Sequence, residues 1–345
     1  DGDLDLYLLT NRVFGPKLPR EILEEVELPA DTQKTIDELI GPGYPQLADQ
    51  DGQRIVPESH RDFYAVLGDQ LFPAGQRDRL FRNDGYGLWR DVSESAGISG
   101  HDNGLSATWW DYDNDGWLDL YVANDLQSPD HLYHNRRDGT FADVTKEALP
   151  HTAFFGMGSD YGDLNNDGLF DLCVADMSST THYMAKMLMG SMSSHRWFLE
   201  NAEPRQYMRN ALYLNPGTER FLEAAYLTGL ASSDWTWAVR FADLDGDGWL
   251  DFFATNGIAS FEDDPDKADA FRKLWRSGQK QQALDIVRNL EPVKERNVAR
   301  RNDGNLHFDD VGKAWGLDEQ NVGQGAAIAD LDRDGDLDII VTNQN

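Results

Sequence analysis

Cysteine is almost missing from this chain: Cys173 stands alone among 345 residues, so no disulfide can form within it. It falls in a β-prone run whose sibling runs carry Tyr121, Phe253 and Ile340 at the same place, and it reads as a buried strand residue, not a nucleophile. Positive charge is scarce as well. Only 31 Lys and Arg face 61 Asp and Glu, for a net charge of −30. Such a surface repels polyanions, which argues against nucleic acid or anionic membrane as partners and favours a salty or calcium-rich setting. No apolar run approaches the ~20 residues of a membrane span, and no signal peptide is visible. Catalytic signatures are also missing: no H-E-x-x-H, Walker loop, G-x-S-x-G elbow or C-x-x-C-H occurs. The eight histidines are scattered, and His131 and His134, three apart on an expected strand, fall on opposite faces. Carboxylates are too numerous to nominate an acid–base pair.

What the chain has in abundance is aspartate in a fixed pattern. Four nonapeptides follow D-x-[DN]-x-D-G-x-x-D: DYDNDGWLD (Asp111–Asp119), DLNNDGLFD (Asp163–Asp171), DLDGDGWLD (Asp243–Asp251) and DLDRDGDLD (Asp330–Asp338). Positions 1, 3, 5 and 9 are Asp111, Asp113, Asp115 and Asp119 in the first loop and Asp163, Asn165, Asp167 and Asp171 in the second. They are Asp243, Asp245, Asp247 and Asp251 in the third, and Asp330, Asp332, Asp334 and Asp338 in the fourth. Position 7 (Trp117, Leu169, Trp249, Asp336) offers its backbone carbonyl, and position 6 is always glycine, where the chain turns sharply. An oxygen-only set of this kind suits calcium. Magnesium prefers small octahedral sites that keep several waters, and zinc or copper would want nitrogen or sulfur. An EF-hand needs a bidentate acid at position 12, where this chain has Val122, Val174, Ala254 and Val341. The bland alternative is a set of acidic turns without metal, but four carboxylates so close would repel one another unless a cation lay between them. Four divalent ions would offset eight of the negative charges. Asp1, Asp3 and Asp5 match the second half of the same loop, so the segment is expected to open inside a fifth, partial site and to be part of a longer chain.

The loops belong to a larger repeat. Asn83, Asn135, Asn215 and Asn302 each stand 28 residues ahead of the next loop, and constant spacing marks a repeated structural unit. Each unit reads as a strand, an Asn/Gly turn, a second strand, then a strand into and a strand out of the acidic loop. Four short strands per unit predict an all-β chain: a β-propeller of four-stranded blades, with four blades and a partial one visible and a parent ring of about seven. The chain 1–345 is expected to be one propeller segment, incomplete at both ends. Three insertions interrupt it, at about 12–79, 177–208 and 258–296. The first carries an expected helix near 31–40. The second holds six of the seven methionines, among them Met184, Met187, Met189 and Met192, expected to pack as adaptable apolar filler. The third reads as two amphipathic helices split near Ser277-Gly278. Since the insertions leave a hairpin at the end away from its loop, after a strand of roughly 20 Å, they are expected to gather on the face opposite the acidic loops. Repeat proteins often bind there. Trp109, Trp110, Trp235 and Trp237, on strands entering loops, are read as packing residues.

The segments FFGMGSDYGDLNNDGLFDLCVADM, WTWAVRFADLDGDGWLDFFATNG and GAAIADLDRDGDLDIIVTNQN resemble the FG-GAP/VCBS repeats of integrin-type propellers. More closely, they resemble the bacterial cartilage-acidic-protein-like family associated with ASPIC/UnbV domains. That resemblance implies a secreted, cell-surface or periplasmic protein, and it carries the calcium-ligand roles to all four complete loops. Asn165, in place of the usual aspartate, should weaken the second site. The reading is a calcium-stabilised, non-catalytic binding or adhesion module that meets a protein or glycan through its insertion face. A structural subunit of a larger surface assembly, meeting other subunits of it, is one alternative, and a polysaccharide-active lyase or hydrolase is another.

Overall fold

The computed structural model describes residues 4–9, 64–67, 70–73, 78–98, 102–125, 129–188, 202–259 and 264–344. Asp1, Asp3, Met189, Met192 and the expected helix near 31–40 lie outside them. The chain divides into two compact units, Asp1–Gly104 and Leu105–Asn345. In the first, Leu6–Leu8, Arg79–Asn83 and Trp89–Asp91 form a three-stranded antiparallel sheet, and Tyr64–Leu67 pairs with Gln70–Pro73.

The second unit contains three sheets built on one plan. In each, two strands flank an acidic loop and two more follow in sequence. The first sheet runs Gly104–Trp110, Asp119–Asn124, His131–Asn135, Phe141–Asp143. The second runs Ser159–Gly162, Asp171–Val174, Ala211–Leu214, Leu222–Glu223. The third runs Asp234–Ala242, Asp251–Asn256, Val298–Asn302, Phe308–Asp310, with Met177–Ser178 added at its edge. Around the fourth loop, Gly323–Ala329 pairs with Asp338–Asn343. The strand leaving each of the first three loops is buried at every residue, which explains the apolar run that follows its first aspartate.

Two expectations are corrected here. The strand bearing each asparagine pairs with the strand leaving the preceding loop, not with the hairpin that follows it: Leu120 lies opposite Tyr133, Leu172 opposite Tyr213, Phe252 opposite Arg300. Nor is the chain an all-β propeller. It is a mixed α/β structure whose strands form separate sheets of two to five members, and no strand pairing among the described residues closes them into a ring. The helices have identifiable causes. In each of the three sheets the last strand ends in an acid whose carboxylate accepts the N–H two residues on: Asp143 from Thr145, Glu223 from Ala225, Asp310 from Gly312. Each such bond satisfies a backbone donor at the start of a short helix (Thr145–Ala148, Ala225–Thr228, Gly312–Trp315).

Longer helices come from the inserted segments. Pro265–Arg276 and Lys280–Arg288 flank Ser277 and Gly278, with Gly278 at φ +80°, and Asp264 caps the first of them by accepting from Asp266 and Lys267 N–H. They leave the third hairpin beyond Asn256, the end away from its acidic loop. His182–Leu188 follows the second hairpin in the same sense. Met184 and Met187 of that helix pack with Trp235, Val293 and buried Ile258.

The core between the first two sheets joins Trp110, Tyr121, Leu132, Leu149, Leu172, Val174, Tyr213 and Phe221, with Trp110 ringed by Tyr112, Tyr161 and Phe221. A second cluster joins Phe253, Ala299 and Ala326 of the third sheet and fourth hairpin. Cys173 is fully buried on its strand. The second and third sheets approach so closely at Gly158 that a Cβ there would lie 2.6 Å from the Trp237 carbonyl oxygen, a contact no larger residue can make.

Candidate metal centres

Each acidic loop folds on its own first aspartate. In the first loop Asp111 accepts from Asp115 N–H at 3.0 Å and Gly116 N–H at 2.8 Å. Asp163 does the same for Asp167 (3.0 Å) and Gly168 (2.9 Å), and Asp243 for Asp247 (3.0 Å) and Gly248 (2.9 Å). In the fourth loop Asp330 accepts from Arg333 (2.7 Å) and Gly335 (3.2 Å). The position-5 carboxylate accepts from the position-7 N–H in all four: Asp115 from Trp117, Asp167 from Leu169, Asp247 from Trp249, Asp334 from Asp336. Position 6 is left-handed, at φ +87°, +86°, +89° and +99° in Gly116, Gly168, Gly248 and Gly335. Position 4 is left-handed too, in Asn114, Asn166, Gly246 and Arg333. The sequence signal for this was the Asn or Gly at that place in three of the loops.

These turns bring carboxylate oxygens together. Within 4.8 Å of one another lie oxygens of Asp111, Asp113 and Asp119, of Asp243, Asp245 and Asp251, and of Asp330, Asp332 and Asp338. A further group joins Asp113 and Asp115 with His134. The His134 Nδ1 stands 3.3 Å from Asp119 and 3.6 Å from Asp113. In the second loop Asn165 Oδ1 accepts from Asp167 N–H at 3.1 Å, and its amide donates to Asp167 at 2.9 Å. These clusters can coordinate a metal ion.

The ninth position is where the repeat closes. One oxygen of Asp119, Asp171, Asp251 and Asp338 accepts from the position-2 N–H of its own loop. The other accepts from the asparagine of the next strand: Asn135 N–H to Asp119 at 2.7 Å, Asn215 to Asp171 at 2.8 Å, Asn302 to Asp251 at 2.9 Å. In the first unit Asn83 N–H donates to Asp5 at 2.9 Å, which puts the partial motif in the same scheme. Burial pushes these carboxyls up, to about 6 in Asp119, about 7 in Asp171 and about 6 in Asp251. The asparagine and position-2 N–H bonds oppose that rise, and neighbouring loop aspartates add to it. A cation among them would restore the charged forms, so the donor set fits a metal.

The asparagine side chains tie loops to one another. Asn215 Nδ2 donates to the Tyr112 carbonyl of the first loop at 2.6 Å, and Asn302 Nδ2 to the Leu164 carbonyl of the second at 2.9 Å. In the other direction Asn114 reaches the Gly168 carbonyl at 3.3 Å and Asn166 the Gly248 carbonyl at 3.1 Å. The first three loops are therefore laced together. The sequence marked the asparagines but assigned them to the loops 28 residues ahead; their partners lie behind, across an insertion for Asn83, Asn215 and Asn302 and without one for Asn135. Sequence reasoning also missed Arg137 and Arg301, which pair with Asp115 and with Asp245 and Asp247. Asp1 and Asp3 lie outside the described residues.

No helix among the described residues is long and apolar enough to cross a membrane. Residues 111–174 and 202–254 match the FG-GAP-like repeat, and those two segments contain the first three loops. The chain is 24% identical over 257 residues to cartilage acidic protein 1 of Homo sapiens, covering 74% of this chain and 30% of that protein. It is 23% identical over the same length to cartilage acidic protein 1 of Mus musculus, covering 74% of this chain and 31% of the relative. The chain thus spans about a third of the length of these curated relatives, and what it shares with them is an FG-GAP-like repeat and weak similarity to cartilage acidic protein.

Proposed function

We propose that this chain is a calcium-stabilised, non-catalytic binding module that works outside the cytoplasm. The observation that carries the reading is the common hydrogen-bond scheme of the acidic loops, in which backbone N–H groups hold the carboxylates in place, together with the convergence of three carboxylates in the first, third and fourth loops. Oxygen donors in this number suit calcium, whose flexible coordination accepts carboxylates, a backbone carbonyl and water. The ligands are Asp111, Asp113, Asp115 and Asp119; Asp163, Asn165, Asp167 and Asp171; Asp243, Asp245, Asp247 and Asp251; and Asp330, Asp332, Asp334 and Asp338. The position-7 carbonyls complete each set. Millimolar free calcium is found outside cells, and the mammalian relatives are named for cartilage, a tissue rich in extracellular matrix. A protein or glycan partner meets the inserted segments, which leave the hairpins at the end away from the loops.

Calcium would then contribute to folding by binding the native state alone, about 2.7 kcal/mol per site at a hundredfold excess over Kd. Melting the chain in 2 mM calcium, as an experimental setting of about that order, and again in excess EDTA tests this. The expected drop on chelation is about 10 °C or more. Superimposable melting curves would contradict the reading.

A further inference from the structure

The acidic loops differ in what stands over their carboxylates. In the third, Arg301, the residue before Asn302, whose N–H clasps Asp251, places Nε 2.5 Å from Asp245 Oδ2 and Nη2 2.5 Å from Asp247 Oδ2. The other oxygens of those two acids are already committed to the loop, Asp245 Oδ1 to Asp247 N–H and Asp247 Oδ1 to Trp249 N–H. One planar guanidinium therefore takes both of the oxygens left over, a geometry matched to paired carboxylates. The other loops are covered differently. In the first, Arg137 reaches only Asp115. In the second, an uncharged amide, that of Asn165, occupies the same place on Asp167. At the position equivalent to Arg301 these loops have His134 and Leu214.

We propose that Arg301 is a resident counter-cation of the third loop, which a divalent ion must displace in order to bind there. The inference rests on the ion-binding reading above and deepens it. Two cations cannot share the same pair of oxygens, so the arginine stabilises the empty loop and weakens its ion site by the same interaction. The pair is partly exposed, with 42% of the Arg301 side chain accessible, so its effect is modest, about two- to fivefold in affinity. The sites are then graded. The third fills later than its ligand count alone predicts, and filling it releases an arginine to the surface beside the loops.

Calcium titration calorimetry on the wild-type chain, Arg301→Gln, Asp243→Asn and the double variant tests this, alongside melting in EDTA. Arg301→Gln should tighten one class of site by about two- to fivefold and lower the melting temperature in EDTA, and the gain in affinity should vanish in the double variant. An Arg301→Gln chain that binds calcium equally or more weakly overturns the inference, since an arginine bracing the loaded site would behave that way. If Asp243→Asn titrates like wild type, the third loop holds no ion, and the ion-binding reading of that loop falls together with the inference.

Discussion

Asp176 shows how much a single buried acid does in this structure. It is fully buried, and one of its oxygens accepts from both Phe154 and Phe155 N–H, at 2.9 and 3.0 Å. Its own N–H donates to Asn210 Oδ1. Burial, with Asp125 and Asp130 nearby, pushes its carboxyl up to about 7. A carboxyl whose pKa rises on folding contributes stability in full below its unfolded value near 4, and loses it as pH rises through about 7. Asp176→Asn keeps an acceptor for both N–H groups and removes the titration. In urea unfolding with EDTA present, wild type should lose stability between pH 5 and pH 8, and Asp176→Asn should lose less. Equal pH dependence in the two would show that this acid is not buried as described. Nothing in the sequence separated Asp176 from the other aspartates, because its environment is made by residues 22 and 34 positions away.

At the scale of elements, the loops were legible and their connections were not. The nonapeptide is a local code: its donors and acceptors lie within nine residues, so reading Asp243–Asp251 in order gives its turn and its convergent carboxylates. The clasp is non-local. Asn302 binds Asp251 across 51 residues and Leu164 across 138, whereas the constant spacing of 28 runs forward to a loop it does not hold. Insertions lie between three of the four pairs of true partners, all but Asn135 and Asp119, so the regular interval measured chain continuity and not contact. The helices after Asp143, Glu223 and Asp310 escaped notice for the opposite reason: each is a single turn, too short for periodicity to show. Asn302→Ala keeps the backbone bond to Asp251 and removes the side-chain bonds to Leu164 and Leu250 carbonyls. One buried and one partly buried acceptor lose their donor, and Gly304 N–H loses its acceptor, so stability should fall by about 2 kcal/mol. Calcium affinity should weaken at the third loop and also at the second, which the same side chain ties down. An effect confined to the third loop would show that the lacing does not couple them.

At the scale of the whole molecule, a chain of net charge −30 turns carboxylates toward one another in its acidic loops. The four-stranded unit expected from the repeat is present in three sheets, with its boundary shifted by one hairpin. Closure into a ring was an extrapolation from local strand count to long-range arrangement, and the strand pairing among the described residues does not bear it out. Ion-binding loops of this kind should take up calcium independently of any partner. Native mass spectrometry of the chain in calcium measures this directly, on wild type and on Asp119→Asn, Asp171→Asn, Asp251→Asn and Asp338→Asn separately. Each substitution should lower the number of bound calcium ions by one; a count unchanged by all four would mean that the loops do not hold calcium.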